Sequence, residues 1–374
     1  MIARANVENS KLGSSSNLET LESVITDEYY RIEKLKPQEK RNMEIEENAQ
    51  KLMTVGKGIL AADESGGSIH KKFENMNIPD DEQHRRDYRN IFFTTPDLEK
   101  YVNGVILFDE TARQHADNGQ DFIKFLNERG VMAGIKVDQG LVNFPDSEEK
   151  YTQGLEGLPT RLAEYYNMGA RFAKWRAAFE YIPTTEDAPE APSLMAMQKN
   201  AEILAQYAKD CQDAKIVPIV EPEFVYNGDY PIEKNIEVTS RMLDLLFAEL
   251  ANHNVNLKGC VLKVNMVLAG KKQAQQSTPA EVGEATAKVL REHVPAELAG
   301  VVFLSGGQSV TQATENLQAV TNNGPFPWPV TFSYARALQD PALQAWQGDN
   351  ANCDAAREAF RLRLVANADA LIRK

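Results

Sequence analysis

Eight short apolar runs recur along this chain, each separated from the next by a stretch long enough to form a helix: GILAAD (58–63), GVILFD (104–109), AGIKVD (133–138), RFAKW (171–175), VPIVEPE (217–223), CVLKVN (260–265), GVVFLS (300–305) and PVTFSY (329–334). Alternating strand and helix signals imply parallel strands with crossover helices, because parallel neighbours need a connection of a dozen residues or more. The intervening segments NAEILAQYAKDCQ (200–212) and PAEVGEATAKVLREHV (279–294) carry apolar residues at helical spacing. Eight such units close naturally into an α/β fold of the (β/α)8 TIM-barrel kind, with a single domain over residues 37–374. An open doubly wound sheet is the competing arrangement, since its strands look the same by periodicity.

Charge at the strand ends tips the balance toward the barrel. Asp63, Asp109, Lys136 with Asp138, Lys174 with Arg176, Glu221 with Glu223, and Lys263 all fall at or near the C-terminal ends of successive predicted strands. Burying an ionised side chain is costly unless it is paired or used. In a TIM barrel this end is the active-site face. Spacings of two residues put both members of a set on one face of a strand, so the sequence predicts a ring of cations and carboxylates inside the barrel. Internal salt bridges that merely tie strands together are the alternative, but they would not need every strand to place its charge at the same end.

Within that ring Lys263 stands in CVLKVNMV, an otherwise continuous apolar strand. Desolvation and neighbouring cations both favour a free amine, which attacks a carbonyl to form an iminium. An iminium is an electron sink for the carbanion or enamine left when an adjacent C–C bond breaks; a snorkelling or paired lysine is the plainer reading of the same residue. Proton transfers would fall to Glu221 and Glu223, which flank Pro222, and to Asp63. Two carboxylates on one face can split so that one stays protonated as an acid. In FLSGGQS (303–309), Ser305, Gly306 and Gly307 follow the seventh strand and can offer backbone N–H groups to an anion. Ser333 and Arg336 in SYARAL add a hydroxyl and a guanidinium on the next loop, and Lys71, Lys72, Lys136 and Arg176 form a second cationic group that could hold another phosphate, with Lys71 and Lys72 simply facing solvent as the alternative.

Composition narrows the partners. A net charge of −13 argues against nucleic acid or an anionic membrane as the main partner, so phosphates must be held by a few local cations. Cys211, Cys260 and Cys353 are widely scattered, giving neither a disulfide framework nor a metal-binding pair and fitting a reducing, cytoplasmic setting. The five histidines, at 70, 84, 115, 253 and 293, fall outside the predicted strand ends, which argues against a zinc centre. No metal or cofactor is expected. There is no membrane-length apolar run and no secretory signal. Residues 1–36 read as a flexible N-terminal extension; an organelle transit peptide is the alternative, opposed by Glu8 and Glu19. From Pro37 to about Thr54 the polar run reads as a surface helix.

Taken together, GKGILAADES (56–65), GVILF (104–108), GIKVD (134–138), FAKWR (172–176), VPIVEPE (217–223), LK-x-NM (262–266), FLSGGQS (303–309) and FSYARAL (332–338) resemble class I fructose-bisphosphate aldolases, through all eight strands in order. The resemblance implies reversible cleavage of fructose 1,6-bisphosphate to dihydroxyacetone phosphate and glyceraldehyde 3-phosphate, in glycolysis and gluconeogenesis, by a homotetramer. It also implies that Lys263 is the Schiff-base lysine, Glu221 the principal acid/base, Asp63 the group handling the substrate hydroxyl proton, and Lys174 and Glu223 electrostatic and orienting partners. Ser305, Gly306, Gly307, Ser333 and Arg336 would hold the dihydroxyacetone phosphate end, and Ser65, Ser68, Lys72, Lys136 and Arg176 the other phosphate.

The chain also departs from that pattern. Val264 follows the lysine where the family usually has proline, Lys72 replaces a familiar arginine and loses its bidentate fork, and Ala335 stands where many members have glycine. The chain stops at Lys374, where the family carries a mobile tail ending in tyrosine; cleavage is expected to survive, whereas efficient proton exchange on the enamine is not. A metal-dependent aldolase, another Schiff-base barrel such as a transaldolase, and an inactive aldolase-like scaffold are the competing functions.

Overall fold

The computed structural model describes residues 35–184 and 190–374, so the expected N-terminal extension, with its transit-peptide alternative, lies almost wholly outside the described residues. Eight parallel strands form the centre: β1 (Gly58–Ala62), β2 (Val102–Leu107), β3 (Met132–Lys136), β4 (Phe172–Phe179), β5 (Val217–Phe224), β6 (Val261–Val264), β7 (Gly300–Phe303) and β8 (Val330–Tyr334). Ile59 of β1 pairs with Ser333 of β8, which closes the sheet and excludes the open arrangement. All residues of β1, β2, β5, β6 and β7 are buried, as expected where helices cover the outside and side chains fill the inside.

The larger helices are α1 (Pro37–Leu52), α2 (Gly66–Glu74), α3 (Glu82–Phe93), α4 (Phe122–Glu128), α5 (Leu158–Met168), α6 (Leu194–Asp213), α7 (Ile232–Asn252), α8 (Pro279–His293), α9 (Val310–Asn322), α10 (Arg336–Trp346) and α11 (Cys353–Asp369). Local chemistry fixes several of their starts. Thr278 and Glu281 form a reciprocal capping box at α8, with Pro279 in its first turn, and Ser309 and Gln312 do the same at α9. Ser193 caps α6 by accepting the Ala196 N–H.

The polar run at 37–54 departs from the surface-helix expectation. Its outer side is exposed, but Ile45, Ala49 and Leu52 are fully buried and pack with Met53, Ile59, Ala61, Ile106, Phe172, Val217, Ile219, Val261 and Val302. α1 therefore stoppers the N-terminal end of the barrel. Two glycines make room for the filling: a Cβ on Gly134 would sit 2.3 Å from the Phe172 ring, and one on Gly104 would sit 2.6 Å from Leu52 Cδ1 and 2.9 Å from that ring. With one end sealed by apolar side chains, charge inside the barrel is confined to the other.

A further difference lies between β3 and β4, where a short antiparallel hairpin (Leu141–Asn143 with Lys150–Thr152) interrupts the connection before α5. β4 also continues past the expected RFAKW run to Phe179, which brings Arg176 inside the strand opposite Glu221.

Candidate active site

The side-chain period of a strand arranges the barrel interior in tiers. On β4, Phe172 fills the lower tier and Lys174 and Arg176 stand above it; on β5, Ile219 is followed by Glu221 and Glu223; on β6, Val261 is followed by Lys263. Register places Lys136 beside Lys174, and Lys263 beside Val302. The upper tier is thus polar because of where each charge falls in its strand.

Within this tier the ionic contacts are close. Lys263 Nζ is 3.0 Å from Glu221 Oε1, and Lys174 Nζ is 3.1 Å from Glu221 Oε2 and 2.7 Å from Asp63 Oδ2. Glu221 therefore bridges two ammonium groups, and its Oε2, though close to Lys174, has no well-formed hydrogen bond. Nearer the mouth, Arg176 Nε meets Glu223 Oε2 at 2.5 Å and Lys136 Nζ meets Asp138 Oδ1 at 2.6 Å. Burial by itself pushes the Asp63 and Glu221 carboxyls up. Lys174 and Lys263 beside both of them more than reverse this, holding each below its usual value. Burial likewise opposes the charge on Lys174, and Asp63 and Glu221 raise it above its ordinary value. Glu221 and Glu223, two residues apart on β5, face different cations: Lys174 and Lys263 meet Glu221, and Arg176 meets Glu223.

These groups line a cavity of about 560 Å3 that opens at the C-terminal end of the barrel. Asp63, Ser65, Ser68, Lys72, Lys136, Lys174, Arg176, Glu221, Glu223, Lys263, Ser305, Gly306, Ser333 and Arg336 all reach it. Gly307 does not: it sits behind the loop at φ 79°, where a Cβ would strike Tyr226. Gly306 lines the wall, with no room for a side chain between Leu304 and Glu223. The Ser333 hydroxyl is buried with no partner, leaving it available to a ligand oxygen.

Asp109 belongs to a different place. It lies in a short helix after β2, half exposed, with Arg113 at 2.9 Å and the Tyr165 hydroxyl at 2.8 Å, so it leaves the expected ring. The five histidines also stand away from the cavity and pair with Asp80, Asp81, Asp121, Glu249 and Asp244.

Comparison with known proteins gives the site its context. Residues 44–374 match the family profile described as "Fructose-bisphosphate aldolase class-I". The chain belongs to the class I fructose-bisphosphate aldolase family. Its relatives include "Fructose-bisphosphate aldolase" of Drosophila melanogaster, 44% identical over 338 residues and covering 89% of this chain and 91% of that one. "Fructose-bisphosphate aldolase 4, cytosolic" of Arabidopsis thaliana is 45% identical over 334 residues, covering 89% and 84%. A solved fructose-bisphosphate aldolase of Plasmodium falciparum, in complex with TRAP and a small-molecule inhibitor, superimposes with a TM-score of 0.85 at 44% identity, covering 89% of this chain and 95% of that one. As an aldolase the protein is a carbon–carbon lyase that cleaves fructose 1,6-bisphosphate reversibly into dihydroxyacetone phosphate and glyceraldehyde 3-phosphate, a glycolytic reaction.

Three residues around the aldolase cavity carry no role in the sequence reading of the site. Asp138, counted among the strand-end charges, accepts the N–H groups of Gly140 and Arg176 besides holding Lys136. Glu64, its side chain 10% exposed, lies between Lys72 and Arg89, and Gln339 is fully buried beside Lys72. A signal for Glu64 was present: it follows Asp63 directly, so if one acid faces into the barrel the next must face out into the helices and find a cation there.

Proposed function

We propose that the aldolase reaction runs through a Schiff base on Lys263 with Glu221 as its acid/base. The observation that carries this is the 3.0 Å contact between the two side chains, at 5% and 4% exposure, on the floor of the cavity. Glu221 removes the ammonium proton, the amine adds to the substrate ketone, and Glu221 returns the proton to the carbinolamine hydroxyl, which leaves as water. The iminium then accepts the electron pair of the breaking C–C bond. Asp63 takes the proton of the hydroxyl on the departing aldehyde carbon, Lys174 balances the charge on Asp63 and Glu221, and Glu223 orients Arg176. Protonation of the enamine and hydrolysis of the iminium release the second product and restore the free amine.

For the dihydroxyacetone phosphate end we assign Ser305, Gly306, Ser333 and Arg336, with Gly307 shaping the turn. For the other phosphate we assign Ser65, Ser68, Lys136 and Arg176. Support comes from the unpartnered Ser333 hydroxyl, and from Ser65 and Ser68 at the start of α2, where free N–H groups and the helix dipole favour an anion. We further propose a cytoplasmic homotetramer. The cytosolic Arabidopsis relative supports the location, and the exposed Met195 beside Phe144 and Tyr151, with exposed Leu194 preceding it in the chain, offers an apolar surface for association; sedimentation velocity checks the mass.

The deciding experiment is borohydride reduction in the presence of dihydroxyacetone phosphate and a strong chelator. One adduct is expected, on Lys263, with cleavage activity unaffected by the chelator alone. An adduct on Lys136 or Lys174, or activity lost in chelator and restored by zinc, would overturn the assignment.

A further inference from the structure

Lys72 is assigned by resemblance to the remote phosphate; like Lys136 on Asp138 it is already paired with a carboxylate, but its further partners, Gln339 and Asp340, belong to the helix layer. Its Nζ lies 2.7 Å from Glu64 Oε1, 3.1 Å from Gln339 Oε1 and 3.7 Å from Asp340 Oδ1, with the side chain only 16% exposed. Glu64 is also met by Arg89 Nη2 at 2.9 Å. Gln339 donates from Nε2 to the Ala61 carbonyl at 2.6 Å, and its Oε1 accepts the Tyr88 hydroxyl at 3.1 Å. The Tyr88 ring packs 5.9 Å from the Lys72 ammonium and 5.5 Å from the Arg89 guanidinium. One buried network thus joins the end of β1 to α2, α3 and α10.

We propose that Lys72 is a positioning residue that sets Asp63, not a ligand of the substrate phosphate. Ala61 and Glu64 bracket Asp63 in the chain; the Ala61 carbonyl is fixed by Gln339 and the Glu64 carboxylate by Lys72, so one ammonium closes the clamp on both sides. Asp340, one helical turn after Arg336, brings the start of α10 into the same clamp. Two of the three ammonium N–H groups are spent on Glu64 and Gln339 and the third side faces Asp340, so a phosphate that drew Lys72 away would leave Glu64 with Arg89 alone and Gln339 Oε1 with the Tyr88 hydroxyl alone. Lysine also carries its charge on a single nitrogen, without the planar fork that lets a guanidinium extend from a carboxylate toward a second anion.

The inference rests on the reading of Asp63 as the group that handles the hydroxyl proton, and its test separates that step from imine formation. Lys72→Met keeps the length of the side chain and removes the charge. In this variant the borohydride-trapped adduct with dihydroxyacetone phosphate should still form on Lys263. Cleavage per trapped site should fall about tenfold, chiefly in kcat and by the same factor for fructose 1,6-bisphosphate and fructose 1-phosphate. Lys72→Arg should recover most of that loss.

A rise in KM confined to the bisphosphate would return Lys72 to the phosphate and overturn the proposal. Loss of adduct and cleavage in equal proportion would reduce Lys72 to a stability role and overturn it as well. Tyr88→Phe, which deletes one hydroxyl and keeps the packed ring, repeats the test should Lys72→Met fail to fold: cleavage per site about twofold to threefold lower is expected, and an unchanged value overturns it. Absence of an adduct in the unmodified enzyme would instead strike at the Schiff-base assignment itself.

Discussion

Glu221 sits where two ammonium groups compete for one carboxylate, with Lys263 on one oxygen and Lys174 on the other. That arrangement lets a proton leave Lys263 without leaving the site. Lys263→Met should therefore abolish both adduct and turnover while the far-ultraviolet circular dichroism stays that of the parent. The phosphate ends are separable by substrate. Arg336→Ala should weaken cleavage of fructose 1,6-bisphosphate and fructose 1-phosphate alike, whereas Arg176→Ala should damage the bisphosphate reaction much more. A charge-assisted contact of roughly 1.5–3 kcal/mol corresponds to about tenfold to a hundredfold in kcat/KM. Equal losses for both substrates in Arg176→Ala would move that residue into the catalytic tier beside Glu223. Most of these residues could be read from the sequence because each breaks an apolar strand at the same end. Asp109 shows the limit of that reading: its strand stops at Leu107, so the following acid turns outward to Arg113 and Tyr165.

The elements themselves were legible as alternating apolar runs and helical spacings, since a strand buried on both sides leaves a continuous apolar signature. What stayed hidden depends on contacts distant in the chain. The buried stripe of α1 has only Ile45, Ala49 and Leu52, too thin a pattern to reveal a helix that caps a barrel. The Leu141–Asn143 hairpin pairs three residues on each side, short enough to be lost among loop residues. The floor of the barrel gives a direct test of how tightly these pieces fit. Gly134→Ala should force the Phe172 ring aside and lower the stability by about 1–3 kcal/mol, the usual cost of overpacking, measured as a shifted urea midpoint with an unchanged slope. A neutral result would mean that Phe172 has another rotamer to occupy.

At the scale of the whole molecule, the buried charges set the pH range of stability. Asp63, Glu64 and Glu221 are held below their ordinary values by cations that outweigh the effect of burial. Their contribution is complete above the unfolded range of about 3.9–4.3 and is lost as pH falls through that range toward the lower folded values. Lys72 and Lys174 are raised despite burial, so their contribution holds below about 10.4 and fades only as pH rises toward the higher folded values. Acid unfolding should start below about pH 4, and Lys174→Met should move its midpoint upward, because both carboxylates lose a cation. An acid midpoint that ignored this substitution would contradict the pairing seen around Glu221.

Closure of β1 on β8 has a consequence for how activity first arises. Asp63, Lys136, Lys174 and Arg176 come from the first four strands, and Glu221, Glu223 and Lys263 from the next two; the bridges Lys174–Glu221 and Arg176–Glu223 span the seam between the halves. Neither half can complete the proposed reacting constellation alone, and Arg176 of one half finds its carboxylate, Glu223, in the other. Pairing residues 59 and 333 is a contact of high sequence separation, a kind formed slowly and late. During refolding, helical signal should return before turnover does. Separately expressed half-barrels should be inactive apart and recover cleavage when mixed, which makes catalysis a gauge of ring closure.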